Sequence, residues 1–403
     1  METPETLARE VERLHRAGRS DDAFTLALES AARFPRSSLA LTNVGYFYIT
    51  RGEPALALET YEAALRANSE NAEARRGLAV AKTQCGLAAQ GDSTTVVPYR
   101  GTGAAVRVLV PITLGSGNVV TDRLFDDRVF EVTKLAVELH AADAGLPEHD
   151  VVFNAIGDAD SSRDALAKVR LLLRRTRKHI LNAPDYVAIT GRVAQSTRLR
   201  GLEDVMMPKI VALSREEART IATPVLLRAP GFHAGEHFLR VDAPDDLDVA
   251  IAQLPGDELL AIEFLDTRER SGTYAKYRVM LVDGVLYPLH LAISPDWKVH
   301  YFSAQMATDG AYRDRETQFL ADPQRALGTR AWSALERVAQ TLFLKYAGID
   351  FAVDSQGRIV VFETNATMAI RYPREEPMWA YRRPAVDAVL GAVRDMLLRY
   401  SSI

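Results

Sequence analysis

Along residues 1–90 apolar positions recur with helical spacing, alanine is abundant and strand signals are nearly missing, which predicts helices. From residue 106 the pattern changes to strand, loop, helix. Residues 107–111 are apolar enough for a short buried strand, and 130–141 carry helical spacing. Residues 150–156 predict a second strand, 163–176 a basic amphipathic helix, and 179–182 a third strand broken by Pro184. Further on, 192–201 predict a helix, while 224–228 and 259–265 predict strands. The runs 275–281 and 285–291 form a hairpin across Asp283-Gly284, and a last hairpin turns around 355–357. Between the two regions, 91–105 hold Gly, Ser, Thr and Pro without a helical period, which reads as a linker. Strands alternating with helices predict an open α/β unit after an all-α segment.

The helical segment repeats itself. At an offset of 34 residues Gly18 falls on Gly52, Ala23 on Ala57, Ala27 on Tyr61 and Pro35 on Ser69. Small residues at fixed positions let antiparallel helices approach, and aromatic side chains plug the groove between them. The segment resembles the tetratricopeptide repeat, with an incomplete third unit over 71–89. Two uses stay open: a concave surface that holds a peptide or protein, or helical hairpins that serve only packing.

Composition narrows the class. The chain has 403 residues, 47% apolar and 25% charged, ordinary values for a globular protein of two or three domains. Lysine and arginine number 49 against 53 acids, so no basic excess points to nucleic acid or to an anionic membrane. Cys85 is the one cysteine, which excludes an internal disulfide and a cysteine-built zinc site. With no signal-peptide pattern and no run of about 20 apolar residues, a cytoplasmic location is expected. Cys85 itself lies in the helical segment and reads as core.

The candidate chemistry is concentrated after residue 190. Gly115 and Gly117 follow a predicted strand, but no third glycine completes G-x-G-x-x-G, which argues against a nicotinamide or flavin site. The strand ending in Arg228 opens into a loop bounded by Gly231 and Gly235. A basic group beside glycines is good phosphate-binding design, although a plain hairpin turn has the same composition. Lys276 and Arg278 alternate on one strand and so face the same side. Toward the end, Asp350 and Glu363 stand near the outer ends of two strands that a hairpin brings together. Asn365, two residues on, shares the face of Glu363. Two carboxylates and an amide oxygen make an oxygen-only site suited to Mg²⁺, which commonly keeps substrate phosphates in its remaining positions. The flanking Val360, Val361 and Phe362 argue that the strand is buried, where an unpartnered carboxylate is costly.

The order of these segments over 106–370 resembles the ATP-grasp superfamily, closest to its glutathione-synthetase and ribosomal-protein glutamate-ligase branch. The resemblance implies a pre-grasp α/β domain and two α+β subdomains with ATP between them. Asp350, Glu363 and Asn365 match the pattern G-[VI]-D…G…E-x-N, whose residues hold Mg²⁺. Glu263, Phe264 and Leu265 match the hinge that binds adenine, with Asp266 or Thr267 in reach of the ribose. Arg278 and Lys298 match basic positions that serve the transferred phosphate, and Gly231, His233 and Gly235 match the loop that closes over the phosphates. Arg228 and Arg192 stand where the family has lysines beside the α- and β-phosphates, a fork in place of a point charge. The usual Pro-Gly after the asparagine is missing; the chain reads Asn365-Ala-Thr-Met.

The resemblance therefore implies an ATP-dependent, ADP-forming carboxylate–amine ligase that works through an acyl phosphate. Arg278, Lys298 and Arg228 would stabilise the transferred group, and His233, His290 and His300 are candidates for the amine proton. A kinase phosphorylating a hydroxyl and a non-catalytic ATP-binding scaffold are the alternatives. Arg371, Arg374, Arg382 and Arg383 either bind a substrate carboxylate or form a solvated face. The expected organisation is helical repeats over 1–90, a linker over 91–105, the pre-grasp domain over 106–190, the central subdomain over 191–265 and the C-terminal subdomain over 266–403. Expected partners are a small-molecule or peptide substrate with a carboxylate, a protein or peptide at the repeats, and a second copy of the chain.

Overall fold

The computed structural model describes residues 2–16, 19–85, 93–141, 143–232, 235–299 and 304–402. The chain divides into two compact units, Met1–Thr95 with Ala136–Ala144, and Val96–Leu135 with Gly145–Ile403.

The first unit contains helices α1 (Pro4–Arg16), α2 (Ser20–Arg33), α3 (Ser38–Thr50), α4 (Pro54–Ala67) and α5 (Ala72–Gln84). Local chemistry sets their ends. The Ser37 hydroxyl accepts from Ala40 N at 3.2 Å, Pro54 opens α4, and the Asn71 amide oxygen accepts from Glu73 N and Ala74 N at 3.0 Å. The Asn71 amide nitrogen also donates to Ser38 Oγ at 2.7 Å, which ties α5 to α3. Ala23, Ala27, Ala57 and Ala64 are fully buried between helices. Tyr61 fills the groove beside two glycines: a Cβ on Gly77 would stand 2.1 Å from its ring, and one on Gly45 2.8 Å.

Among its described residues the second unit is mixed α+β with three sheets. The first consists of β1 (Thr94–Val97), β2 (Val106–Ile112), β3 (Phe130–Ala136), β4 (Val151–Phe153) and β5 (Ile180–Leu181), in the order β1-β3-β2-β4-β5. Its centre is parallel, with Val108 opposite Val151 and Val152 opposite Ile180. Two expectations change here. Residues 130–136 form a strand in place of the predicted helix, because Phe130 and Val132 are buried while Glu131 and Thr133 are only half-buried, a period of two. The supposed linker contains β1, four residues of β-branched side chains. Helices Arg163–Leu173 and Arg192–Leu199 form where the spacing predicts them.

Next come β6 (Val205–Met206), β7 (Ile210–Ser214), β8 (Val225–Arg228), β9 (Phe238–Val241) and β10 (Glu258–Glu263). The second sheet runs β7-β10-β8-β9 and buries Val225, Leu227, Leu259 and Ala261 with Leu247 and Ile251 of the helix Leu247–Gln253. The third sheet uses β11 (Tyr274–Val282), β12 (Val285–Ser294), β13 (Tyr346–Val353) and β14 (Ile359–Asn365), in the order β12-β11-β13-β14-β6. Its first hairpin turns on Asp283 (φ 46°) and Gly284 (φ 86°), the Asp-Gly pair that a two-residue left-handed turn favours. Among the described residues no helix is long and apolar enough to cross a membrane.

Candidate functional site

The site begins with the register of three strands. Arg278 of β11 stands opposite Asp350 of β13, and Asp350 stands opposite Glu363 of β14, with a bulge immediately after Asp350. Asp350, expected near the outer end of a strand, lies in the middle of β13, and the bulge there re-aims the side chains beside it. Asp350 is fully buried. The Arg278 guanidinium grips it with two parallel bonds, Nε to Oδ1 and Nη2 to Oδ2, the latter 2.7 Å. Lys276 Nζ lies 2.8 Å from the same Oδ2. The alternation of Lys276 and Arg278 thus places both cations on one face of an inner strand, where they are about one-fifth exposed. Burial alone would raise the Asp350 carboxyl; Arg278 and Lys276 outweigh it and hold it well below the ordinary carboxylate range. His290 of β12, paired with Arg278, is also buried. Burial and then Arg278 push it well below the usual imidazole value, so it stands neutral.

Glu363 is more open. Its Oε1 accepts from Arg192 Nη1 at 3.0 Å, from Arg192 Nη2 at 2.8 Å and from Asn365 Nδ2 at 2.7 Å. Arg192 opens the helix Arg192–Leu199, and its backbone N–H donates to Asp160 Oδ2 at 3.1 Å. Burial would raise Glu363, and Arg192 brings it below its ordinary value. Arg192, expected beside the phosphates, therefore rests on the carboxylate. Asn365 turns its carbonyl away: Oδ1 accepts from Thr367 N and Oγ1, both at 2.9 Å.

These contacts test the expected magnesium cage. Among the described residues no three His, Cys, Asp or Glu side chains gather as a metal site. Asp350, Glu363 and Asn365 do converge, but both Asp350 oxygens are taken by protein cations and Asn365 Oδ1 by Thr367. A divalent ion fits at Glu363, whose Oε2 accepts no hydrogen bond among the described residues, and does not fit at Asp350 or Asn365 as they are arranged.

The other predicted cations form a neighbouring group. Arg228 ends β8, donates to the carbonyl of Phe232 and lies 5.5 Å over the Phe238 ring. Burial, reinforced by Arg192, draws its pKa down to about 10. Lys298 donates to Phe238 O at 3.2 Å and crosses Gly235, where a Cβ would come within 2.8 Å of its Cε. Gly235 has φ +79° and Gly231 φ +82°, which favour glycine at both. This loop closes the β8–β9 hairpin, with Arg228 opposite Phe238. His233 and His300 lie outside the described residues.

The hinge segment is partly committed. Glu263 N donates to Lys209 O at 2.9 Å, and Glu263 Oε2 accepts from Lys209 N at 3.0 Å. Phe264 sits under the Arg240 guanidinium at 3.9 Å, and its ring meets Trp297 edge-on at 6.4 Å. Leu265 is half-buried, Asp266 is exposed and accepts from Arg268 N at 3.0 Å, and Thr267 is buried. One arginine departs from the solvated-face reading. Arg382 does not face solvent: it is buried against Glu316, with Nη2 2.6 Å from Oε2, and lies 4.3 Å from the centre of the Trp379 ring.

Sequence reasoning missed Lys276 as a site residue, although its alternation with Arg278 was the signal. It also missed Asp158 and Asp160, which follow β4 and line a cleft of about 690 Å³ with Arg192, Gly231, Phe232 and Glu258. No local pattern marks those two acids.

No family model and no curated protein matches the chain. Among solved structures it is similar to the VanG D-Ala:D-Ser ligase from Enterococcus faecalis, with 12% identity, 74% of this chain and 100% of that chain covered, and a TM-score of 0.47. It is similar to D-alanine–D-alanine ligase from Bacillus anthracis complexed with ATP, with 15% identity, 74% and 97% coverage, and a TM-score of 0.44. It is also similar to the ATP-grasp ligase PsnB complexed with precursor peptide PsnA2 and AMPPNP, with 15% identity, 74% and 100% coverage, and a TM-score of 0.43. Identities and TM-scores this low assign neither a family nor an activity to this chain.

Proposed function

We propose that the chain is an ATP-dependent carboxylate–amine ligase of the ATP-grasp superfamily. The observation that carries the reading is the convergence of Arg278, Asp350 and Glu363, in register across β11, β13 and β14, with Asn365 at the end of β14 and Arg192 joining them. Three cations about one-fifth exposed, Lys276, Arg278 and Arg192, around two carboxylates suit a polyanion such as the triphosphate of ATP. The sequence pattern G-I-D…G…E-x-N belongs to the same corner.

In this reading a substrate carboxylate oxygen attacks the γ-phosphorus and ADP leaves. An amine nitrogen then attacks the acyl carbon, phosphate leaves, and the nitrogen gives up a proton. Arg278, Arg228 and Lys298 hold the charge that gathers on the transferred group, through positioning and electrostatics rather than a side-chain nucleophile. Glu263, Phe264 and Leu265 bind the adenine, with Asp266 or Thr267 toward the ribose. Glu363 carries the divalent ion, which when bound neutralises phosphate charge. The buried His290 stays neutral and shapes the wall behind Arg278. The substrate carries a carboxylate on a small molecule or a peptide. The tetratricopeptide-like helices bind a protein or peptide partner, a second copy of the chain is an allowed partner, and the location is cytoplasmic.

The test is ATP turnover with a pool of amino acids and peptides, with mass spectrometry watching for products formed by loss of water. Hydroxylamine trapping of an acyl group separates ligase from kinase. Glu363→Gln should lower ADP release at least a hundredfold while far-UV circular dichroism stays unchanged. Undiminished turnover in that variant removes the assignment.

A further inference from the structure

We infer that Lys276 stands permanently where a divalent ion would otherwise sit on Asp350, so that this site takes a single divalent ion, and only together with a nucleotide. The inference rests on the nucleotide-binding reading above and adds to it the composition of the site.

Asp350 is buried and faces two cations, Arg278 through a two-pronged grip and Lys276 at 2.8 Å. Glu363, opposite Asp350 in register, is matched by Arg192, and the other titratable groups of that corner, Tyr346 and His290, bring no negative charge. The corner therefore already carries one positive charge in excess. A divalent ion brought against Asp350 would meet two cations in a low-dielectric interior and gain one carboxylate whose oxygens are occupied. Lys276 is suited to the place. Its ammonium is a compact point charge with three donors, of which Asp350 engages one. It remains about one-fifth exposed, open to a phosphate oxygen.

Glu363 differs in every respect that matters. Its side chain is 30% exposed, its hydrogen bonds all fall on Oε1, and its cation, Arg192, begins a helix rather than lying in the sheet. A triphosphate offers Arg192 a bidentate partner of higher charge than Glu363. Release of Arg192 from Glu363 frees the carboxylate for one ion that arrives with the nucleotide. Without the nucleotide, Arg192 keeps Glu363 and no ion is taken up.

The experiment is Mn²⁺ stoichiometry by electron paramagnetic resonance and by equilibrium dialysis on the full chain, without nucleotide, with ADP and with a non-hydrolysable ATP analogue. The expected result is no tightly held Mn²⁺ on the free chain and one per chain with either nucleotide. Lys276→Met, which keeps the stem and removes the charge, should gain a second Mn²⁺ with the ATP analogue; Lys276→Arg should remain at one. Two Mn²⁺ on the unaltered chain with nucleotide, or tight Mn²⁺ without it, overturns the inference while leaving the ligase reading intact. Failure of either nucleotide to bind at all overturns the ligase reading itself. If Lys276→Met does not fold, the stoichiometry of the unaltered chain still decides.

Discussion

Tyr61 and Asp350 are both buried, each in its own unit, and opposite kinds of neighbour hold them. Around Tyr61 the helices present glycine and alanine: Gly45 and Gly77 lie against the ring, while Ala57, Ala64 and Ala74 share its cluster. Around Asp350 the strands present Lys276, Arg278 and His290. The first interior is filled by size, with one large side chain in a groove kept open by small ones. The second is filled by charge, at the cost of desolvating three ionic groups. A packed interior tolerates swaps that conserve volume. A charged interior tolerates almost none, because each member leaves the others unpaired.

The sharpest way to break the contrast is to remove the buried charge. Asp350→Asn keeps the shape and strands Arg278 and Lys276, and should destabilise the second unit by about 3–5 kcal/mol in urea denaturation. A change below about 1 kcal/mol would mean that the corner is not held by charge. The acid side follows from the same group. Its folded pKa lies below the unfolded value of about 4, so its stabilisation is complete above that pH and is lost as pH falls through the folded value. The gap between the unaltered chain and Asp350→Asn should therefore close only below about pH 4.

Overfilling the other interior should do less. Gly77→Ala drives a methyl into the Tyr61 ring and should cost about 1–3 kcal/mol, relieved when combined with Tyr61→Leu. Additive costs in the double variant would contradict the size-filled groove. The smallest effect concerns His290. Its folded pKa lies well below about 6.5, so the unfolded chain takes up the proton first and stability falls as pH drops below that value. Between pH 6.5 and 5.5 the loss should be about 1 kcal/mol or less, and His290→Gln should flatten that slope. An unchanged slope would place the titration elsewhere.

Much of this was open to reading along the chain, because it depends on neighbours in sequence. The helical offset, the Asp283-Gly284 turn, the pairing of Lys276 with Arg278 on one face and the return of Glu363 toward Asp350 all follow from periods of 3.6 and 2 and from turn chemistry. The same local rules failed at 130–136, where helical spacing and strand alternation compete over seven residues and the neighbouring strand β2 decided. What needed tertiary structure was the choice of partner. Sequence spacing brought Asp350, Glu363 and Asn365 to one place. Only the packed chain showed Arg278 and Lys276 closing over Asp350, Arg192 arriving on Glu363 from a helix 171 positions away, and Arg382 buried against Glu316. Ion pairs form between groups distant along the chain, and burial sets their strength; neither distance nor burial is written in a local pattern.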